Sequence, residues 1–244
     1  MISRMMVSIL GWLWWLIIPV RKRLARDNLR SAFPAVHPST LRQTVGGVAW
    51  GYIELLFGRD ARVEGVEHIV PGSICLGGHA GSWDLILVAV ARRIPTTIFV
   101  KTPSNPLAAW LIDRMRARVD LELLPPRDSM AAAYVALEAG RMVMFVQDQR
   151  HNRGIEVSFL ERPARTSAAF AAMVHRSRAP VVGLWQERDA QGHRAWFEPL
   201  VLDIPEDRDV AIESLTRQSQ DYYGRRITSH PANWWWLHHR WKKV

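Results

Sequence analysis

The apolar pattern of the chain alternates between short buried runs and longer helical stretches, and this alternation predicts the elements. Leu41 to Phe57 reads as a helix, Ser73 to Gly77 as a strand and Trp83 to Arg92 as a helix. Thr97 to Lys101 reads as a strand that opens on a β-branched threonine, and Pro106 to Arg118 as a helix with proline at its start. Ser129 to Ala139 predicts a helix and Met142 to Gln147 an apolar strand that runs into Asp148, Gln149 and Arg150. Ser167 to Arg178 is then helical, Pro180 to Trp185 a strand, Trp196 to Val201 a further strand, and Val210 to Ile227 a long helix. Strands that alternate with helices imply an α/β fold whose largely parallel sheet is covered on both faces. Polar residues at strand ends are the site candidates in such a sheet: His79, Lys101, Asp148 and Gln149.

The most informative of these ends is Gly77-Gly78-His79-Ala80-Gly81-Ser82-Trp83-Asp84. Glycines between a strand and a helix free the backbone where open sheets place their ligands. A histidine there, with a carboxylate five residues on, has the makings of a general base and its orienting partner. An imidazole titrates near neutrality, and a carboxylate on its other nitrogen fixes the tautomer. Spacing alone is weak, because the pairs His151 with Glu156 and His193 with Glu198 share it. On a continuous helix, five residues leave two side chains roughly 140° apart. The pair can meet only if His79 sits in a loop and Asp84 on the first turn of a helix, which Gly78, Gly81 and the N-cap candidate Ser82 permit. His193 and Glu198 fall in a strand pattern, on opposite faces. His151 and Glu156 fall in a polar loop.

Composition narrows the setting. At 244 residues the chain suits one substantial α/β domain, with no linker, repeat or low-complexity tract to divide it. The single cysteine, Cys75, excludes an intrachain disulfide, and no His/Cys/acid cluster has zinc spacing. The net charge of +9 favours anionic partners: phospholipid, nucleic acid or an acidic protein. Seven of the 12 tryptophans cluster at the two ends instead of along a basic sheet face, and no nucleic-acid motif is present. Met5 to Val20 carries no charge and is followed by Arg21-Lys22-Arg23. As a helix it spans about 24 Å, short of the roughly 30 Å hydrocarbon core, so it reads as a short span or an embedded helix. A buried core helix is the alternative.

Six blocks in order carry a resemblance. They are Arg23 to Pro34, Val63 to His68, Gly78-His79-x-Gly81-Ser82-Trp83-Asp84, Lys101 to Pro106, Asp148-Gln149, and Phe159 to Thr166, and the tail Pro231-Ala-Asn-Trp-Trp-Trp-Leu-His-His-Arg-Trp-Lys242 extends them. Together they resemble the bacterial lipid A biosynthesis acyltransferases, within the lysophospholipid acyltransferase superfamily. Ser82 stands where asparagine is usual, Asp84 where glutamate is, and Lys101 where arginine is. The resemblance implies an αβα acyltransferase sandwich over residues 21–244, with residues 1–20 as an N-terminal membrane-anchor helix. It implies transfer of an acyl group from acyl-acyl carrier protein or acyl-CoA to a hydroxyl of a lipid acceptor, with no metal or redox cofactor, at the cytoplasmic face of a bacterial inner membrane. His79 would be the general base with Asp84 on its second nitrogen. Lys101, Asp148, Gln149 and Thr166 would serve the substrates, and backbone N–H groups near Gly78 to Gly81, or Lys101, would meet the oxyanion. Another glycolipid or a glycerol-phosphate lipid remains an alternative acceptor, and a membrane-tethered nucleic-acid-binding protein the alternative of a different class.

Overall fold

In a computed structural model, residues 2–17, 21–37, 39–100, 119–189 and 191–241 are described. Lys101 and the expected helix Pro106 to Arg118 lie outside them. The described elements run α1 (Ile2–Ile17), α2 (Lys22–Ala32), α3 (Ser39–Leu56), β1 (Arg62–Glu64), β2 (Ile74–Gly77), α4 (Trp83–Ala91), β3 (Thr96–Phe99) and β4 (Leu121–Leu124). They continue with α5 (Met130–Glu138), β5 (Met142–Val146), β6 (Ile155–Phe159), β7 (Arg162–Thr166), α6 (Ala169–Ser177), β8 (Val181–Asp189), β9 (Gly192–Pro199) and α7 (Arg208–Ser229).

Seven strands form one sheet in the order β1-β9-β8-β2-β5-β3-β4. Every described pairing in it is parallel except β8 with β9, which is antiparallel. The sheet is therefore largely parallel, as the alternation of strands and helices implies. Strand side chains divide by period two between its faces. Ile74, Leu76, Val143 and Phe145 join the larger apolar core, while Cys75, Met142 and Met144 join the core on the other face. Both faces being covered explains why these strands read as continuous apolar runs. The apolar pattern predicts neither β4, α2 nor the β6–β7 hairpin. Glu156 lies in that hairpin, where the polar composition suggested irregular chain. His193 and Glu198 both fall on β9 and find different partners, Glu54 and Arg226.

The amino-terminal helix α1 packs on α3. Gly46 faces the backbone of Val7 and Gly11, and a Cβ at Gly46 would run into the Val7 carbonyl oxygen. The opposite face of α1 exposes Met5, Ile9, Trp12, Leu13, Leu16 and Ile17. Among the described residues no single helix is long and apolar enough to cross a membrane.

This crossing makes a prediction about stability. Gly46→Val should force α1 away from α3 at a cost of roughly 1–3 kcal/mol and lower the thermal midpoint by about 2–10 °C. Gly47, which has open space where a Cβ would stand, is the control. Gly47→Ala should leave the midpoint unchanged or raise it, because alanine is the better helix former. Equal losses in the two variants, read by calorimetry, would show that the helix contact is not glycine-dependent.

Candidate active site

The sheet register creates the site. β2 and β5 pair in parallel with Gly77 opposite Val146, so the residues two beyond each, His79 and Asp148, emerge side by side at the carboxyl edge. His79 Nδ1 lies 2.8 Å from Asp148 Oδ1, and the His79 backbone N–H donates to Asp148 Oδ2 at 2.8 Å. The indole N–H of Trp234 donates to the same Oδ2 at 2.8 Å. A carboxylate can only accept, so the ring nitrogen facing it carries the proton. Nε2 is then the nitrogen that can take a proton from a hydroxyl. Trp83 packs edge-on against the imidazole, with ring centroids 5.5 Å apart. The chain reaches α4 through Gly81, whose φ of +50° lies in the left-handed region that glycine tolerates.

The orienting hydrogen bond that the spacing assigned to Asp84 is made by Asp148. Asp84 sits buried on the first turn of α4, and its Oδ2 accepts the hydroxyl of Tyr52 on α3 at 2.7 Å. The turn into α4 carries Asp84 off the line of β2, whereas parallel pairing holds Asp148 beside His79. Asp84 still lines the same cavity as His79, and its charge acts on the imidazole.

The remaining expected residues divide. Gln149 lines that cavity, and its backbone carbonyl accepts from Arg240 at 3.2 Å. Thr166 is fully buried, and its hydroxyl oxygen accepts from Arg240 at 2.7 Å, so it supports the wall and is not part of the cavity lining. The loop N–H groups expected to meet an oxyanion are largely committed. Those of His79, Ala80 and Gly81 donate to Asp148, to the Gly78 carbonyl at 2.9 Å and to the Asn233 carbonyl at 2.6 Å. Tyr52, Trp234 and Arg240 went unassigned in the sequence. The only signal for the last two was the aromatic and basic tail, which suits a packed segment as well as a ligand contact.

The cavity beside His79 measures about 350 Å³. Ile86, Leu87, Ile98, Met144, Val146 and Leu184 give it apolar walls, while His79, Asp84, Gln149 and Gln186 supply polar groups. This suits a hydrocarbon chain with its reactive carbonyl near the imidazole. A second cavity of about 450 Å³ lies between α1 and the back of the loop, lined by Trp12, Arg42, Gly81, Ser82 and His193. Residues of α1 line the second cavity and not the first. Among the described residues no three His, Cys, Asp or Glu side chains are grouped so as to hold a metal ion.

Burial disfavours the imidazolium of His79, but the charge and hydrogen bond of Asp148, with the charge of Asp84, outweigh it and raise its pKa above the usual value. Burial likewise works against the charge on Asp148. The charge and hydrogen bond of His79, then His238 and Trp234, hold it well below the carboxylate range. His238 is pushed down to about 3, chiefly by burial.

Comparison with known proteins adds a family. A family model described as bacterial lipid A biosynthesis acyltransferase matches residues 2–243. A solved structure similar to this chain is the crystal structure of the 1-acyl-sn-glycerophosphate (LPA) acyltransferase PlsC from Thermotoga maritima. The two share 12% identity at a TM-score of 0.44, over 96% of this chain and 98% of that one. No protein of curated function matches the chain.

The pair predicts a titration. Stability from a raised His79 pKa is present below the ordinary imidazole value and lost as pH rises through the raised one. Stability from a depressed Asp148 pKa is present above the ordinary carboxylate value and lost as pH falls through the depressed one. Asp148→Asn removes the charge, so the His79 midpoint should fall below its wild-type value in histidine-labelled NMR titrations. An unchanged midpoint would show that Asp148 does not govern the ring.

Proposed function

The chain belongs to the bacterial lipid A biosynthesis acyltransferases, and from that premise we propose that it moves a fatty acyl group from acyl-acyl carrier protein or acyl-CoA to a hydroxyl of a lipid A-like acceptor. The family makes it an acyltransferase acting on lipids. The observation that carries the finer reading is an imidazole held by a buried carboxylate beside an apolar cavity.

In this reading the acyl chain lies among Ile86, Ile98, Met144 and Leu184, with its thioester carbonyl beside His79. His79 Nε2 takes the proton of the acceptor hydroxyl as its oxygen attacks the carbonyl carbon. Asp148 keeps the ring in the required tautomer and stabilises the imidazolium that forms. The tetrahedral intermediate then collapses, the C–S bond breaks, and His79 returns the proton to the departing thiolate. Products are an ester and a thiol, with no covalent acyl-enzyme. Lys101 is assigned to the developing negative charge and Gln149 to substrate contact. Asp84, held by Tyr52, adds negative potential that favours the imidazolium.

The exposed apolar face of α1, followed by Arg21-Lys22-Arg23, supports attachment to the cytoplasmic face of a bacterial inner membrane with α1 lying in the interface. The +9 charge suits an acidic carrier protein or an anionic coenzyme.

Two measurements test the reading. With purified protein, acyl-acyl carrier protein or acyl-CoA and a lipid A precursor, His79→Ala should lower turnover by roughly 10²–10⁴-fold. His151→Ala, in a pair of identical spacing, should retain it; the reverse pattern would sink the assignment. Transfer to glycerol-phosphate lipids alone would replace the acceptor and keep the chemistry. Membranes washed in high salt should retain the protein and detergent should release it. Full release by salt alone would mean the attachment is electrostatic.

A further inference from the structure

The catalytic loop is completed by a segment far away in sequence. Gly81 N–H donates to the Asn233 carbonyl at 2.6 Å and Trp235 N–H to the His79 carbonyl at 3.0 Å, with Ala80 bridged antiparallel to Trp234. Residues 233–235 thus lie beside residues 79–81 as a short extended partner. Gln186 fastens the other side of the loop by donating to the Ala80 carbonyl. From this segment the indole N–H of Trp234 reaches Asp148 Oδ2, the oxygen that also accepts the His79 backbone N–H. Trp234 is fully buried and ringed by Phe159, Trp236, His238 and Trp241. Its indole is therefore fixed in direction. Behind it Arg240, also fully buried, donates to four neutral oxygens: the Gln149 and Arg165 carbonyls, Thr166 Oγ1 and Gln220 Oε1.

The geometry points to Trp234 as a positioning residue that sets the basicity of His79 by holding the second oxygen of Asp148. This rests on the reading of His79 as the general base. A hydrogen bond from a neutral donor draws charge off the carboxylate, so less of it is felt at the imidazole. Losing that donor leaves a more strongly attracting carboxylate, and the His79 pKa should rise. Among the described residues, the charged and titratable groups acting on His79 are Asp148, Asp84 with its Tyr52 partner, and His238 on the tail. Those acting on Asp148 are His79, His238, Tyr223 on α7 and Arg240.

The test is replacement of Trp234 by β-(3-benzothienyl)alanine, which keeps the bicyclic shape and lacks the N–H, alongside Trp234→Phe. In the isostere protein the His79 midpoint, read by NMR without substrate, should rise by about 0.5 unit or more; one unit is a tenfold change in the protonation equilibrium. The acid limb of kcat/KM should move to higher pH by the same amount, while the alkaline plateau stays within about threefold of wild type, because the neutral imidazole remains in place. A midpoint that stays put overturns the proposal, even if activity falls, because Trp234 would then serve packing alone. Failure of the isostere protein to fold overturns it too, since the N–H would then serve the fold. If the NMR midpoint moves but the kinetic limb does not follow, the role of Trp234 stands and the base assignment of His79 fails. Trp234→Phe should show the same upward shift, with an added loss of thermal stability from the smaller ring.

Discussion

Asp148 is a fully buried carboxyl group, and much of the surrounding structure compensates the negative charge it bears when ionised. Burying a carboxylate costs several kcal/mol unless it is paired and hydrogen-bonded. Three donors converge on its two oxygens: a ring nitrogen, a backbone N–H and an indole N–H. Each comes from a different direction, and two of them belong to His79. Removing any one leaves charge unmet, so the carboxylate fixes the loop, the imidazole and the tail together. Tyr223 holds the floor of this arrangement, donating to the Gly77 carbonyl at 2.6 Å and accepting from the Gln147 N–H at 3.2 Å. That single hydroxyl ties the ends of β2 and β5 at the point where their parallel register delivers His79 and Asp148.

Much of the sheet was legible in the sequence because its strands are buried on both faces. Runs such as Ile74 to Leu76 and Met142 to Val146 have no polar interruption, and glycine or polar clusters mark their ends. His79, Asp148 and Gln149 could be singled out as polar residues at such ends. Their partnership could not. Sequence spacing favoured Asp84, five residues from His79, over Asp148, 69 residues away, because register between strands is a tertiary property. The β6–β7 hairpin escaped for a related reason: Arg162, Arg165 and Glu156 give it a polar strand pattern that resembles loop. β8 with β9 departs from the parallel expectation because a short connection joins them, which only an antiparallel pair allows.

The two cavities divide the surroundings of the loop between different chemistries. Apolar side chains of α4, β3, β5 and β8 line the one that holds His79. The other, against α1, is lined by Arg42, Arg188, Asp189 and His193, and His193 is itself held by Glu54 at 2.6 Å. The loop from Gly78 to Ser82 is the partition between them. Ser82 spends its hydroxyl on the Gly47 carbonyl at 3.2 Å instead of capping α4, which fastens that partition to α3.

The antiparallel contact between residues 79–81 and 233–235 also bears on the order in which the protein can mature during synthesis. The loop leaves the ribosome long before the segment that completes it, with most of the sheet translated in between. Until Asn233 and Trp234 arrive, Gly81 lacks its acceptor and Asp148 one of its donors. A nascent chain could assemble the parallel strands and still hold an unfinished carboxylate, open to water and poorly aligned. The His79–Asp148 pair would then be completed late, when the tail docks, and a chain arrested before that point would have a sheet without a finished pair.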